Sequence, residues 1–271
     1  MTGLPQWSEA FVGTRTQDIA ALPLPEVRDW AFGGSTGAGV KVAVVDSGVD
    51  AGHPSIGEVA GFVAFDVDPQ APTGVAELAG PHEDLVGHGT ACAALIRSIA
   101  PDVELYSVRV LGASLKGRGT MFLAGLRWAV AQGMAVANLS LSSKSADYFA
   151  ALHEVCDEAY FHRTMLVAAA NNLPGPTYPS QYSSVISVAA MPTEDPWGLA
   201  YNPRPPVEFG ARGLDVRVPW SGGGSIVASG NSFAAPHVSG MVALMLAKHP
   251  DLTPFQVKAV LQALTHTADP S

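Results

Sequence analysis

Three residues of this 271-residue chain hold the groups needed to activate a hydroxyl: Asp46 in VAVVDSGVD, His88 in GHGTACAAL and Ser232 in ASGNSFAAPHVSG. A serine hydroxyl is a weak nucleophile at neutral pH and needs a base within hydrogen-bond reach. An imidazole base in turn needs a carboxylate that fixes its tautomer and stabilises the imidazolium. Taken singly, each residue has a plainer reading. Asp46 before Ser-Gly is a turn-capping pattern, a His opening a helix is more often structural, and Ser232 at a helix mouth is a natural N-cap. Taken together they are an acid, a base and a hydroxyl, the set that nucleophilic acyl transfer requires. A helix N-terminus also offers unpaired N–H groups and a positive dipole end where negative charge develops.

These residues need elements that bring them to one place. The segment 40–48 is β-branched and almost continuously apolar, as a parallel strand covered on both faces should be. Segments 104–111, 134–142, 164–171 and 183–190 read the same way. Between and after them lie helical patterns at 88–100, 120–133, 147–162, 232–248 and 253–265. In the last of these, Thr253 is a natural N-cap and Pro254 occupies the first helical position. Such alternation predicts a single-domain α/β fold, doubly wound, with a mostly parallel central sheet and helices on both faces. Ligands in such sheets bind at the carboxyl ends of the strands. Asp46 closes a strand while His88 and Ser232 open helices, so all three are expected on that side. The Pro- and Gly-rich segment 191–231 reads as irregular or hairpin structure. Residues 1–39 read as an N-terminal extension packing on a domain that covers 40–271.

Composition narrows the partners. The formal net charge is −9, and the 15 basic residues form no cluster, so neither nucleic acid nor an anionic membrane surface is an expected partner. The sequence has no apolar run long enough to span a bilayer. The first residues show no basic stretch followed by an apolar one, which makes a cytoplasmic protein the expectation. Two cysteines, Cys92 and Cys156, make no disulfide framework in a chain of this length and read as buried thiols.

The blocks VAVVDSGVDAGHP, GHGTACA and GNSFAAPHVSGMVALML resemble the three signature blocks of the subtilisin-like serine proteases, the subtilases. The resemblance extends over roughly residues 40 to 265. It implies Ser232 as nucleophile, His88 as general base and then acid, and Asp46 as the orienting carboxylate. The implied reaction is peptide-bond hydrolysis through an acyl-enzyme. LVAAANNLPG resembles the family's oxyanion-hole segment, and its register assigns Asn172 as the donor, with Asn171 where the family usually has Gly. The other register makes Asn171 the donor. VRVLGASLKGRGTMF and NLSLSS resemble the two segments between which a peptide or protein substrate lies as an added strand. That match places Lys116 and Gly117 on one segment, and Ser140, Leu141 and Ser142 on the other.

Several positions depart from the family pattern. Ser142 and Ser143 replace two glycines that usually wall the first specificity pocket. Asn171 adds bulk beside it, and Thr177 stands where a small residue often forms its floor. A shortened pocket for small or medium side chains is therefore expected, with no acidic group to favour Lys or Arg. Cys92 resembles the thiol of the proteinase K-like branch and is expected beneath His88. The acids Asp66, Asp68, Glu77, Glu83 and Asp84 are oxygen ligands of the kind calcium takes. Their spacing matches no calcium motif, so a solvated acidic loop is expected and no metal or other cofactor is required. Pro236 is assigned to the first helical turn, where no N–H partner is lost, and His237 to helix packing. The resulting expectation is a serine endopeptidase, with selective intracellular processing of a precursor as its finer form. A ligase or cyclase that passes the same acyl-enzyme to an amine is the alternative, and a catalytically silent binding module is the third reading.

Overall fold

A computed structural model of the chain describes Gln6, Ser8 and residues 27–265. Its first half contains α1 (Val27–Phe32), β1 (Lys41–Asp46), β2 (Gly61–Val67), β3 (Val75–Ala79), α2 (His88–Ile99), β4 (Glu104–Arg109), α3 (Gly119–Ala131) and β5 (Val136–Leu139). The second half contains α4 (Phe149–Phe161), β6 (Met165–Ala169), β7 (Ile186–Met191), β8 (Leu199–Tyr201), β9 (Phe209–Arg212), β10 (Val216–Trp220), β11 (Gly224–Ala228), α5 (Asn231–Lys248) and α6 (Pro254–Leu264).

Nine strands form one sheet in the order β3-β2-β4-β1-β5-β6-β7-β9-β8. Every pairing is parallel except those of the two edge strands, β3 with β2 and β8 with β9. Strand β1 shows why its sequence is apolar between Lys41 and Asp46. Val42 and Val44 point into one core with α2 and α5, while Ala43 and Val45 point into a second with α3 and α4. A strand covered on both faces has no position left for a polar side chain until it ends at Asp46. The expected doubly wound architecture is present.

Helix α5 follows from the same logic. Its sequence is apolar on all sides, and residues Phe233 through Leu246 are all buried, as expected for a helix with no solvent face. It packs against β5, β6, β7, β9 and α2. At the C-terminus α6 begins with a capping box: Gln256 N donates to Thr253 Oγ1, and Thr253 N donates to Gln256 Oε1.

Two expectations need correction. The acidic tract that read as a solvated loop contains β2 and β3, paired antiparallel with Asp66 opposite Ala76 and Phe65 opposite Glu77. Asp66 and Glu77 are thus exposed strand residues of a hairpin at the sheet edge, and their carboxylates interrupt the apolar run that marks the other strands. The tract 191–231 does contain a hairpin, β10 with β11, but β9 within it joins the main sheet parallel to β7. Of the expected extension 1–39, residues 1–5, 7 and 9–26 lie outside the described residues. Among the described residues no helix is long and apolar enough to cross a membrane.

Candidate active site

The carboxyl ends of β1, β5 and β6 and the N-termini of α2 and α5 meet on one side of the sheet. There His88 Nε2 lies 3.0 Å from Ser232 Oγ, and His88 Nδ1 lies 2.9 Å from both oxygens of Asp46. Asp46 is fully buried and also accepts from the backbone N–H of Ser47. Burial of His88 works against the imidazolium, but the Asp46 carboxylate more than offsets it and holds the imidazole pKa well above the ordinary 6.5. Cys92 lies beneath the pair, its sulfur 3.8 Å from Asp46 Oδ2 and 3.9 Å from His88 Nδ1. Burial raises the Cys92 pKa, so it remains a neutral thiol there.

Ser232 is the second residue of α5, behind an extended Gly230 at the N-cap, so it is not the cap itself. Its own N–H belongs to the first turn, where no helical acceptor exists. Pro236 is not in that turn. As the sixth residue of α5 it removes the N–H that would bond the carbonyl of Ser232. Ser140 Oγ donates to that carbonyl instead at 2.8 Å, and the Cys92 thiol approaches it at 3.6 Å. Ser140 Oγ itself accepts from Asn138 Nδ2, and Asn138 Oδ1 accepts from Ser239 Oγ, both at 2.9 Å. This buried chain ties the turn at Ser232 to the end of β5 with its polar atoms paired. His237 is a packed helix residue, its Nδ1 2.9 Å from the carbonyl of Phe233.

The loop that presents His88 is held by Asp84, which no sequence motif singled out except as an acidic residue. One oxygen accepts from Ser47 Oγ, Val86 N and Gly87 N; the other accepts from the backbone and hydroxyl of Thr90. Burial works to raise the Asp84 pKa, and these hydrogen bonds outweigh it, so the pKa is lowered. An Asp four residues before a helix-opening His is a local capping signal that could have revealed it. Asp66, another of the five acids, faces Arg109 at 3.6 Å.

On the other flank, the backbone N–H of Asn231 donates to Asn172 Oδ1 at 2.9 Å, which leaves the Asn172 NH₂ as the end free to donate. A Cβ placed on Gly230 would stand 3.4 Å from both Asn172 Nδ2 and Ser232 Oγ, so the bare α-carbon keeps the space between amide and hydroxyl open. The Asn171 side chain is used differently: its Oδ1 accepts from Leu173 N in a local turn. The fully buried side chain of Asn231 gathers this region. Its Nδ2 donates to the carbonyls of Gln6, Ala170 and Asn171, and its Oδ1 accepts from Ala190 N.

A cavity of about 480 Å³ opens over Ser232 and His88. Ser140, Leu141, Ser142, Asn171 and Asn172 line it as expected. Lys116 and Gly117 do not: they are exposed in a loop whose Leu115, with Leu111, forms the wall in their place. The reason is the local turn, closed by Gly112 N to the Lys116 carbonyl, which leaves Lys116 outward. Thr177 is not the floor either. It is fully buried behind Asn171, accepting from Asn171 N at 2.8 Å and bonded to Ser180 Oγ at 2.7 Å. The walls that sequence reasoning missed are Trp220, Ala228 and Phe233.

The chain belongs to the Subtilase family, whose profile matches residues 37–270. Among its relatives, Subtilisin E of Bacillus subtilis (strain 168) is 33% identical over 245 residues, covering 85% of this chain and 61% of that protein. The chain therefore spans about three fifths of the length of that relative. Subtilisin of Bacillus pumilus is also 33% identical over 245 residues, covering 85% of each. A solved cold adapted subtilisin-like serine proteinase superposes with a TM-score of 0.67 at 27% identity, covering 84% of this chain and 83% of the other. A solved S41 psychrophilic protease does so with a TM-score of 0.70, at the same identity and coverage.

Proposed function

We propose that this chain is a serine endopeptidase that cleaves peptide bonds through an acyl-enzyme on Ser232. The observation that carries this reading is the unbroken hydrogen-bonded chain from Asp46 through His88 to Ser232, inside a cavity open to a substrate. Ser232 Oγ attacks the scissile carbonyl carbon and passes its proton to His88 Nε2. The oxyanion that forms is met by Asn172 Nδ2 and the first-turn N–H of Ser232. The carbon–nitrogen bond then breaks, and His88 returns the proton to the leaving amine. Water, deprotonated by the same imidazole, hydrolyses the acyl ester and regenerates the hydroxyl. Asp46 stays ionised throughout, holding the tautomer and balancing the imidazolium.

The finer reading is a protease selective for small or medium uncharged residues before the cleaved bond. What supports it is that Ser142 and Asn171 line the cavity where the family usually has glycine, and that its walls include no Asp, Glu, Lys or Arg. The test is labelling of the folded chain with a fluorophosphonate, followed by cleavage profiling on a peptide library. Labelling and cleavage that both vanish in Ser232→Ala support the reading; a folded wild-type chain that neither labels nor cleaves overturns it.

A further inference from the structure

The hairpin β10–β11 does more than close the domain. Its Trp220 stands edge-on to the His88 imidazole, ring centroids 6.4 Å apart at 89°. The residue just before His88 is shaped to receive it. Gly87 has φ +108°, and a Cβ there would lie 2.5 Å from Ser221 N and 3.1 Å from the indole Cδ2. Glycine at 87 thus lets the hairpin seat directly on the turn that presents the base. Phe233, next to the nucleophile, completes the enclosure with its ring 5.3 Å from His88. Trp220 and Ala228 pack on the small apolar cluster that contains Phe233, Val216 and Val218.

The sidedness of the reaction says which part of a substrate meets this wall. The acyl side of the cavity is the end marked by Asn172, Asn171 and the 140–142 segment, where the carbonyl oxygen and the residue before the bond must lie. The leaving amine must lie beside His88, because His88 protonates it. Trp220 lines the same cavity beside His88, and Ala228 lines it as well. We infer that Trp220 is a specificity-determining residue for the leaving side: it walls the site of the first residue after the scissile bond and selects an uncharged, apolar side chain there. This inference rests on the endopeptidase reading above.

The experiment compares wild type, Trp220→Ala and Trp220→Phe on two kinds of substrate. One is a set of internally quenched peptides that differ only in the first residue after the bond (Ala, Leu, Phe, Asp or Lys). The other is a methyl ester with the same acyl part, whose leaving alcohol puts no side chain or ring in that site. Wild type is expected to cleave the apolar members faster than the charged ones, and Trp220→Ala to flatten that preference by about tenfold or more. Trp220→Phe, with a flat ring still in place, retains most of it. Turnover of the ester falls by much less than this, and thermal melts verify that both variants are folded. An unchanged preference in folded Trp220→Ala overturns the inference, as does a loss on the ester equal to the loss on peptides. A wild type inert on peptides and ester alike overturns the endopeptidase reading first and this one with it.

Discussion

Ser140 donates its hydroxyl to the carbonyl of Ser232 at 2.8 Å, filling the place that Pro236 leaves empty in α5. A serine that lines the cavity thus commits its hydroxyl to the turn of α5. Ser140→Ala leaves the Ser232 carbonyl with the weak thiol contact alone. The expected cost is about 1–3 kcal/mol of stability, with kcat lowered and KM little changed. Denaturant melts and steady-state kinetics on one anilide substrate check this; a KM effect without a kcat effect would return Ser140 to the groove.

Asn172 presents its NH₂ to the cavity because its oxygen is held by Asn231 N. Asn172→Leu is expected to lower kcat by about 10²–10³, the size known for one such donor in a subtilisin, with KM nearly unchanged. Asn171→Leu, which removes only a turn contact, is expected to spare kcat. The reverse ranking in kinetics would assign the donor role to Asn171.

Activity should rise with pH as His88 loses its proton, since only the neutral imidazole accepts from Ser232. Asp46 holds that pKa above 6.5, so the acid limb of kcat/KM is expected above pH 6.5. Asp46→Asn removes the charge that favours the imidazolium and should move the limb to lower pH, while kcat falls by about 10⁴, the size known for the same change in a serine protease. A pH–rate profile of both proteins decides it; a limb that stays in place separates Asp46 from the titration.

Acid should destabilise the fold through His237. Burial lowers its pKa from 6.5 to about 4. The folded state therefore binds fewer protons than the unfolded one, and stability is lost as pH falls from 6.5 towards 4. The loss amounts to about 3 kcal/mol once the group is fully protonated. His82, lowered to about 4 mainly by burial, acts in the same direction. Thermal melts between pH 7 and 4 should show a shallower decline for His237→Gln than for wild type, whatever that variant's stability at pH 7.

Metal removal should change little. Both Asp84 oxygens are occupied by protein donors, Asp68 accepts from Gln70 N and Asp66 faces Arg109, so three of the five acids already have partners. Melting temperature and turnover are expected to agree in calcium and in EDTA. A marked fall in EDTA alone would reveal a cation holding the domain.

Much of this was legible in the sequence, for identifiable reasons. Strands buried on both faces favour apolar residues, so β1, β4, β5, β6 and β7 stood out as mostly apolar runs even with Ser107, Asn138 and Ser187 buried among them. Functional groups at the ends of such runs were visible because a polar residue there breaks the pattern. β2 and the edge strand β3 were hidden because neither leaves a long apolar run: β2 buries only Val63, Ala64 and Phe65 before its exposed Asp66, and β3 is exposed from Glu77 on. Trp220 and Asn231 were hidden for another reason. Their importance lies in contacts across long sequence separations, such as Asn231 with Gln6 and Trp220 with His88. Ser140 and Pro236 belong to the same class: each looks ordinary until the helix and the strand end are placed side by side.

The burial of α5 on every side has a kinetic meaning. The amide hydrogens from Phe233 to Leu246 are buried by the whole domain rather than by a local flap. Such positions are expected to exchange with solvent only through global opening. Ser232 consequently stands at the head of the segment expected to open last. On heating, loss of activity and loss of the fold should coincide, with no softened but still folded state between them.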